Sequence, residues 1–238
     1  MSTIPPYSPE DPFNYWNFRY DSGHTEWNLN HVHPVLERFF NKLNPDGKPK
    51  KVLVTMCGMS EDMNWLADKG MEVVGVEIAL QALTKFVSQS GQDWTETAAP
   101  KLGPDAKMFT RKDGRIKLYW GDALKFSEDL EGKFDAIYDC DGLHVLDSSK
   151  TPEFAKMIKS VLNPGGIMLL EAIAYDKNIL EDKNFQPPLP VPPPYSVAVE
   201  DVKRLFEPEC SVEVIDKHTN NLLYGHESNF YSYIIVKK

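Results

Sequence analysis

Two features of the chain carry recognisable chemistry: the run Met56-Cys57-Gly58, which follows a short β-rich stretch, and Glu77, which ends the next one. A glycine in such a turn lets the backbone pass close under a ligand, and a carboxylate at the second strand's end can accept hydrogen bonds from both hydroxyls of a ribose. Together they suit an adenosine; taken singly, each also reads as an ordinary turn or strand end. A dinucleotide site would want Gly-x-Gly-x-x-Gly. The turn here is Cys57-Gly58-Met59-Ser60-Glu61-Asp62, with one glycine and two acids beside the helix N-terminus that a pyrophosphate needs. S-adenosylmethionine has no phosphate and carries a sulfonium cation, so it tolerates that acidic turn. Gly121-Asp122, after Tyr119-Trp120, falls at the end of a later strand. There an aspartate can accept from an adenine amino group and an aromatic can cover the base, although a plain Gly-Asp turn fits the local sequence equally.

Other reactive side chains give weaker patterns. His31 and His33 alternate faces of a helix instead of aligning at four-residue spacing, and no cysteine pair accompanies them, so no metal is expected. His144 follows Asp139 closely enough to face a pocket. Cys140 has no activating base in its local sequence, which argues against a covalent nucleophile. The run from Gln186 to Tyr195 is too rich in proline for a helix or a central strand. It is read as an extended loop, covering a substrate or, if exposed, available to an SH3- or WW-type partner.

Alternating elements must position these groups. The first 28 residues, rich in Pro, Tyr and Trp, begin as coil around Pro5, Pro6 and Pro9. Helical spacing runs from Asn30 to about Leu43, and a buried strand follows from Lys51 to Met56. A helix from Ser60 to Lys69, with Ser60 as its N-cap, leads to a strand from Met71 to Val76. Another helix runs from about Leu80 to Ser88. Residues Gly91 to Pro104 look polar and irregular, and a hairpin turns around Asp113-Gly114. Strands at Phe134 to Tyr138 and Ile167 to Ala174 flank a helix from Pro152 to Leu162 and a turn at Asn163 to Gly166. After a helix from about Val197 to Phe206, strands at Ser211 to Ile215 and Phe230 to Val236 suggest an antiparallel edge. The pattern predicts an α/β fold, a mostly parallel Rossmann-like sheet with helices on both faces, and ligands beyond the carboxyl ends of its strands.

With 238 residues, 42% hydrophobic and 26% charged, the chain suits one folded domain. Its mean hydropathy of -0.41 and the absence of a span-length apolar run argue against a membrane protein. A net charge of -9 disfavours nucleic acid, whose binding rests on Lys and Arg neutralising phosphates. Cys57, Cys140 and Cys210 do not make a secreted disulfide framework, and no signal peptide opens the chain. A cytoplasmic monomer is expected.

The segment from Thr55 to Glu77, TMCGMSEDMNWLADKGMEVVGVE, resembles the signature of the thiopurine S-methyltransferase family. The similarity extends through Gly132 to Asp139, Pro187 to Tyr195 and Val202 to Phe206, with Trp16 and Trp27 matching an aromatic N-terminal segment, and covers roughly residues 15 to 237. It implies a class I methyltransferase using S-adenosyl-L-methionine, with residues 1 to 28 as a cofactor-covering segment on a domain of residues 29 to 238. Trp16 and Tyr20 would approach the cofactor, and Trp27 would stand between cofactor and substrate. Met56, Gly58, Glu77, Ile78, Asp122, Ala123, Asp139 and Cys140 would line the cofactor site. Trp27, Cys140, Asp141, His144 and Tyr195 would face a small-molecule methyl acceptor. Asp139, directly or through water, or Tyr20 would receive a proton released in the transfer.

One departure bears on the acceptor. Where the family commonly reads Asp-Arg-Gly, this chain reads Asp139-Cys140-Asp141, which makes thiopurines doubtful substrates and suggests a cationic or amine acceptor. The expected reaction is methyl transfer to a small thiol, selenol or related soft nucleophile. The alternatives are N- or O-methyl transfer to a small molecule, or a cofactor-binding scaffold without catalysis.

Overall fold

The computed structural model describes residues 5, 7–8, 11–48, 50–181, 192–223 and 226–238. Among them, β1 (Lys51–Thr55), β2 (Glu72–Glu77), β3 (Trp94–Ala98), β4 (Lys107–Arg111), β5 (Ile116–Trp120), β6 (Phe134–Cys140), β7 (Leu162–Ala174), β8 (Cys210–Leu223) and β9 (His226–Lys237) form one sheet in the order β3-β4-β5-β2-β1-β6-β7-β9-β8. The central strands β5, β2, β1, β6 and β7 run parallel. Both flanks are antiparallel, β3 and β4 on one side and β9 and β8 on the other. From β1 the chain builds outward through β2 and β5, then crosses to β6 and β7. The switch point, where ligands settle in such sheets, therefore lies between β1 and β6.

Alternation along the strands sends side chains to two cores. Val52 and Val54 of β1 face α2 (Pro34–Leu43), α3 (Asp62–Asp68) and α4 (Leu80–Gln89), through Leu36, Phe39, Met63, Leu66, Leu83 and Phe86. Leu53 faces the other way, with Val74, Ile137 and Leu170, against α6 (Thr151–Val161) and α7 (Val199–Phe206). The expected α/β sheet with helices on both faces is present. Between β5 and β6 lies the short α5 (Glu128–Glu131). No described helix is long and apolar enough to cross a membrane.

Several boundaries differ from the sequence reading. The first 28 residues hold α1 (Pro12–Ser22), capped by the Asp11 carboxylate, started by Pro12 and ended by Gly23 in the left-handed region. Its aromatic run showed no apolar period because it is not an amphipathic core helix. α2 starts at Pro34, not Asn30, since the residue before a proline takes an extended conformation, as His33 does at ψ 128. Ser60 does not cap α3 in the usual position; Glu61 precedes the helix, and the Ser60 hydroxyl accepts from the Asp62 N–H at 3.1 Å.

The stretch read as irregular contains β3, an exposed edge strand held by its pairing to β4. The turn at Asn163 to Gly166 is absorbed into β7, opposite a register irregularity between Phe134 and Ala136 of β6. The hairpin around Asp113-Gly114 and the antiparallel last pair are as expected. Most of the proline-rich run, residues 186 to 191, lies outside the described residues.

Candidate active site

At the end of β1 the chain turns through Met56 and Gly58, both with positive φ, 47° and 53°. Glu77, at the end of β2 and only 6% exposed, closes over this turn. Its Oε2 accepts from the Gly58 N–H at 2.9 Å and its Oε1 from the Ala79 N–H at 2.7 Å. Burial pushes the Glu77 carboxyl above its ordinary range, opposed by the amides of Ala79, Gly58 and Ile78. A carboxylate has about four lone-pair positions, so two remain for further donors such as ribose hydroxyls.

Above the turn sits α1. The Tyr20 hydroxyl lies where a Cβ on Gly58 would collide with it, so only glycine fits beneath. Tyr20 packs with Ala79 and Ala82, and Trp16, Trp27 and Met59 pack against this group. The Trp27 indole stands edge-on to Trp16 and Tyr20 and donates to the Tyr20 hydroxyl at 3.4 Å. The Arg19 guanidinium covers one face of Trp27, 4.6 Å from the ring centre. The Tyr20 backbone carbonyl accepts from the Lys85 ammonium. Burial, with Glu77 second, holds the Tyr20 phenol far above its ordinary pKa, which favours its protonated form.

The side of this turn toward β5 is less enclosed. Asp122 Oδ1 accepts from the Leu124 N–H at 2.9 Å, capping the short turn that carries Ala123. The Trp120 indole donates to the Ile78 carbonyl at 3.0 Å. Beside these residues a cleft of about 460 Å³ opens between α1 and the start of α4, lined by Phe13, Asn17, Phe18, Leu80, Gln81 and Trp120. The Gly58–Glu77 turn lies outside that lining, under Tyr20.

Across the switch point, β6 ends in Asp139, Cys140 and Asp141. Asp139 is fully buried, accepting from the Thr55 hydroxyl and from the Leu143 N–H at 3.0 Å. Burial raises its carboxyl to about 6 against the pull of those donors. Asp141 is held at φ 69°. Met56 and Asp141 are the non-glycine residues with positive φ among the described ones, and they end the two strands that flank the switch point. Such conformations cost free energy and cluster at functional sites.

Two histidines meet this end of the sheet in the same tautomer. His33 Nδ1 accepts from the Val35 N–H at 3.3 Å, and His144 Nδ1 from the Ile173 N–H at 3.2 Å. Each ring therefore carries its proton on Nε2. His144 Nε2 points at Asp141 Oδ1, 3.2 Å away, and His33 Nε2 at Glu171 Oε1, 3.9 Å away. His33, Cys140 and Glu171 bring three ligand-type atoms within 4.8 Å of one another. A cation would need a bare nitrogen at Nε2, and the N-cap bond at Nδ1 puts the proton there.

Glu171 escaped the sequence reading, although a lone acid within the apolar run Ile167 to Ala174 marks a buried charge. Tyr195 donates its N–H to the His144 carbonyl at 2.6 Å and sets its ring edge-on to Tyr7. The structure thus gathers Trp16, Tyr20 and Trp27 with Gly58 and Glu77, and Cys140, Asp141 and His144 with Glu171 and His33.

The chain matches the family model described as thiopurine S-methyltransferase over residues 13–229. It is 33% identical to a thiopurine S-methyltransferase of Vibrio campbellii, covering 81% of each chain. It is 28% identical to a probable thiopurine S-methyltransferase of Danio rerio, covering 84% of this chain and 82% of the relative. Among solved structures it is similar to an S-adenosylmethionine-dependent methyltransferase of Anabaena variabilis, with a TM-score of 0.64 at 17% identity over 100% of this chain and 99% of that one. It is also similar to the Burkholderia thailandensis 1,6-didemethyltoxoflavin-N1-methyltransferase solved with S-adenosylhomocysteine, with a TM-score of 0.63 at 13% identity over 100% and 93%.

Proposed function

The chain belongs to the thiopurine S-methyltransferase family, and from that premise we propose that this S-adenosylmethionine-dependent methyltransferase acts on a small thiol, selenol or related soft nucleophile. The observation that carries the reading is the closed unit of Gly58, Glu77 and the aromatic cover of α1. It fits the cofactor by its donor set: lone pairs on Glu77 for ribose hydroxyls, and indole faces at Trp16 and Trp27 for a sulfonium.

Bound there, S-adenosylmethionine supplies a methyl group already activated by its positive sulfur. The protein's part is positioning and exclusion of water. Glu77 binds the ribose side, with Ile78, Asp122 and Ala123 toward the adenine. The backbone of Met56 and Gly58 passes beneath, and Trp16 and Trp27 shield the sulfonium side. A ligand seated against Gly58 displaces the Tyr20 hydroxyl, which makes residues 1 to 28 the cover of the donor site over a domain of residues 29 to 238. Asp139, raised to about 6, is a carboxylate able to take the acceptor's proton near neutral pH. Cys140, Asp141, His144 and Tyr195 border the acceptor. We place the protein in the cytosol as a monomer, where its three free thiols stay reduced.

A second reading, N-methyl transfer to an amine, is favoured by the carboxylates Asp141 and Glu171 beside Cys140. Titration calorimetry with S-adenosylmethionine, followed by an acceptor screen of small thiols and amines, tests both. Binding and thiol turnover support the first reading, and turnover of amines alone replaces it with the second. The absence of cofactor binding overturns both.

A further inference from the structure

Two inward-facing carboxylates in this protein are treated differently. Glu131, at the amino ends of the strands, is paired with Lys51 at 2.7 Å and Lys117 at 3.0 Å and accepts from the Tyr119 hydroxyl at 2.7 Å. Glu171, at the carboxyl ends and only 2% exposed, has no described Lys or Arg against it. Among the described residues its one hydrogen bond is a long one from the Ser232 hydroxyl, 3.5 Å, and the basic atom against it is His33 Nε2 at 3.9 Å. Burial lowers the His33 pKa, so that ring is neutral at physiological pH and offers no charge.

The surroundings add negative charge. Asp141 faces Glu171 and is held below the usual carboxylate range, because contact with His144 outweighs its burial. Asp62, on α3, accepts from the His33 N–H at 2.7 Å, and Asp216 of β8 is occupied by Arg38 at 2.7 Å. A second sign comes from β6, where Tyr138 lies two residues before Cys140, the register partner of Glu171. The Tyr138 hydroxyl, on a residue 1% exposed, lies close to Asp62 and Cys140 but makes no hydrogen bond of ordinary geometry among the described residues. Buried polar groups are almost always satisfied, and a buried carboxylate without a cation is costly.

We propose that the acceptor chamber recognises a cationic group, an alkylammonium in the simplest case, seated against Glu171 and Asp141 at the carboxyl ends of β6 and β7. The inference rests on reading this end of the sheet as the methyl-acceptor pocket, and it holds whichever atom of the acceptor takes the methyl. One ammonium carries three donors, enough for both acids and the Tyr138 hydroxyl, and its charge favours the ionised form of Glu171, which burial and Asp141 otherwise hold protonated.

The test uses ligands of one shape and three charges. Propylammonium, propan-1-ol and propionate are titrated into the full chain loaded with S-adenosylhomocysteine. Methylation of 2-mercaptoethanol is measured separately. The expected result is ammonium binding about tenfold or more tighter than the alcohol, with propionate weakest, and loss of that preference in Glu171→Gln. Asp141→Asn, at a more exposed position, gives the same readout if Glu171→Gln fails to fold. Equal binding of the three ligands, or a preference that survives both substitutions, overturns the inference. If 2-mercaptoethanol is methylated under that outcome, the methyl-transfer reading stands alone. Ammonium preference without turnover of any thiol supports the cationic pocket and removes the soft-nucleophile reading.

Discussion

Glu77 and Gly58 are joined by a hydrogen bond of 2.9 Å that ties the end of β2 to the turn after β1, and its acceptor is the carboxylate proposed to hold the ribose. Replacing Glu77 with Ala strands the Gly58 and Ala79 amides and, on the proposed function, removes the acceptors for two ribose hydroxyls. S-adenosylmethionine affinity is expected to fall by about 100-fold, and Glu77→Gln, which keeps one acceptor oxygen, by less. Calorimetry on variants whose melting curves remain cooperative checks this.

Gly58→Ala is expected to weaken cofactor binding and destabilise the protein together, because the new Cβ meets the Tyr20 hydroxyl and the backbone has positive φ. Adding Tyr20→Phe removes the collision but not the backbone cost, which is on the order of 1 kcal/mol. A double-mutant cycle on denaturant midpoints should therefore show partial rescue. Fully additive effects would mean that the two residues do not touch.

If Asp139 takes the acceptor's proton, the methylation rate rises with pH through about 6 and then levels, since only the carboxylate form is active. The Thr55 hydroxyl stabilises that form. Thr55→Val should shift the inflection upward by on the order of one unit, and Thr55→Ser should restore it. A profile that does not respond to Thr55 would remove Asp139 from the proton path.

Glu171 makes stability depend on pH in a direction opposite to that of a salt-bridged acid. Its carboxyl is raised to about 8 by burial and by Asp141, from an ordinary 4.5. Between those values the folded chain holds a proton that the unfolded chain has released, so stability falls as pH rises through the window. The effect is on the order of a few kcal/mol across the range. The melting temperature of the ligand-free wild type should drop more from pH 5 to pH 8 than that of Glu171→Gln. The comparison cancels the opposite trend from His33, whose proton is lost on folding.

Local patterns made much of the donor half readable. The apolar run of β1, the single-glycine turn and an acid closing β2 are contiguous, and a carboxylate at that place has a specific use. β3 was missed because Trp94 to Ala98 is largely exposed and buries no alternating face; only its ladder to β4 makes it a strand. The meeting of His33, Asp62, Cys140 and Glu171 could not be seen either, because each comes from a different element. His33 was read, with His31, as alternating faces of one helix, whereas in the fold it caps α2 and turns its other nitrogen toward β7. The charge within β7 was passed over in an otherwise apolar run, and only the topology showed what it faced.

The crossing of the chain between β1 and β6 also divides the enzyme along its own length. Most residues expected to hold the methyl donor lie before Phe126, with Asp139 and Cys140 as exceptions, and most of those expected to border the acceptor lie after it, with Trp27, His33 and Asp62 as exceptions. A lineage can thus alter what it methylates by substitutions in the second half while the machinery that delivers the methyl group is inherited intact.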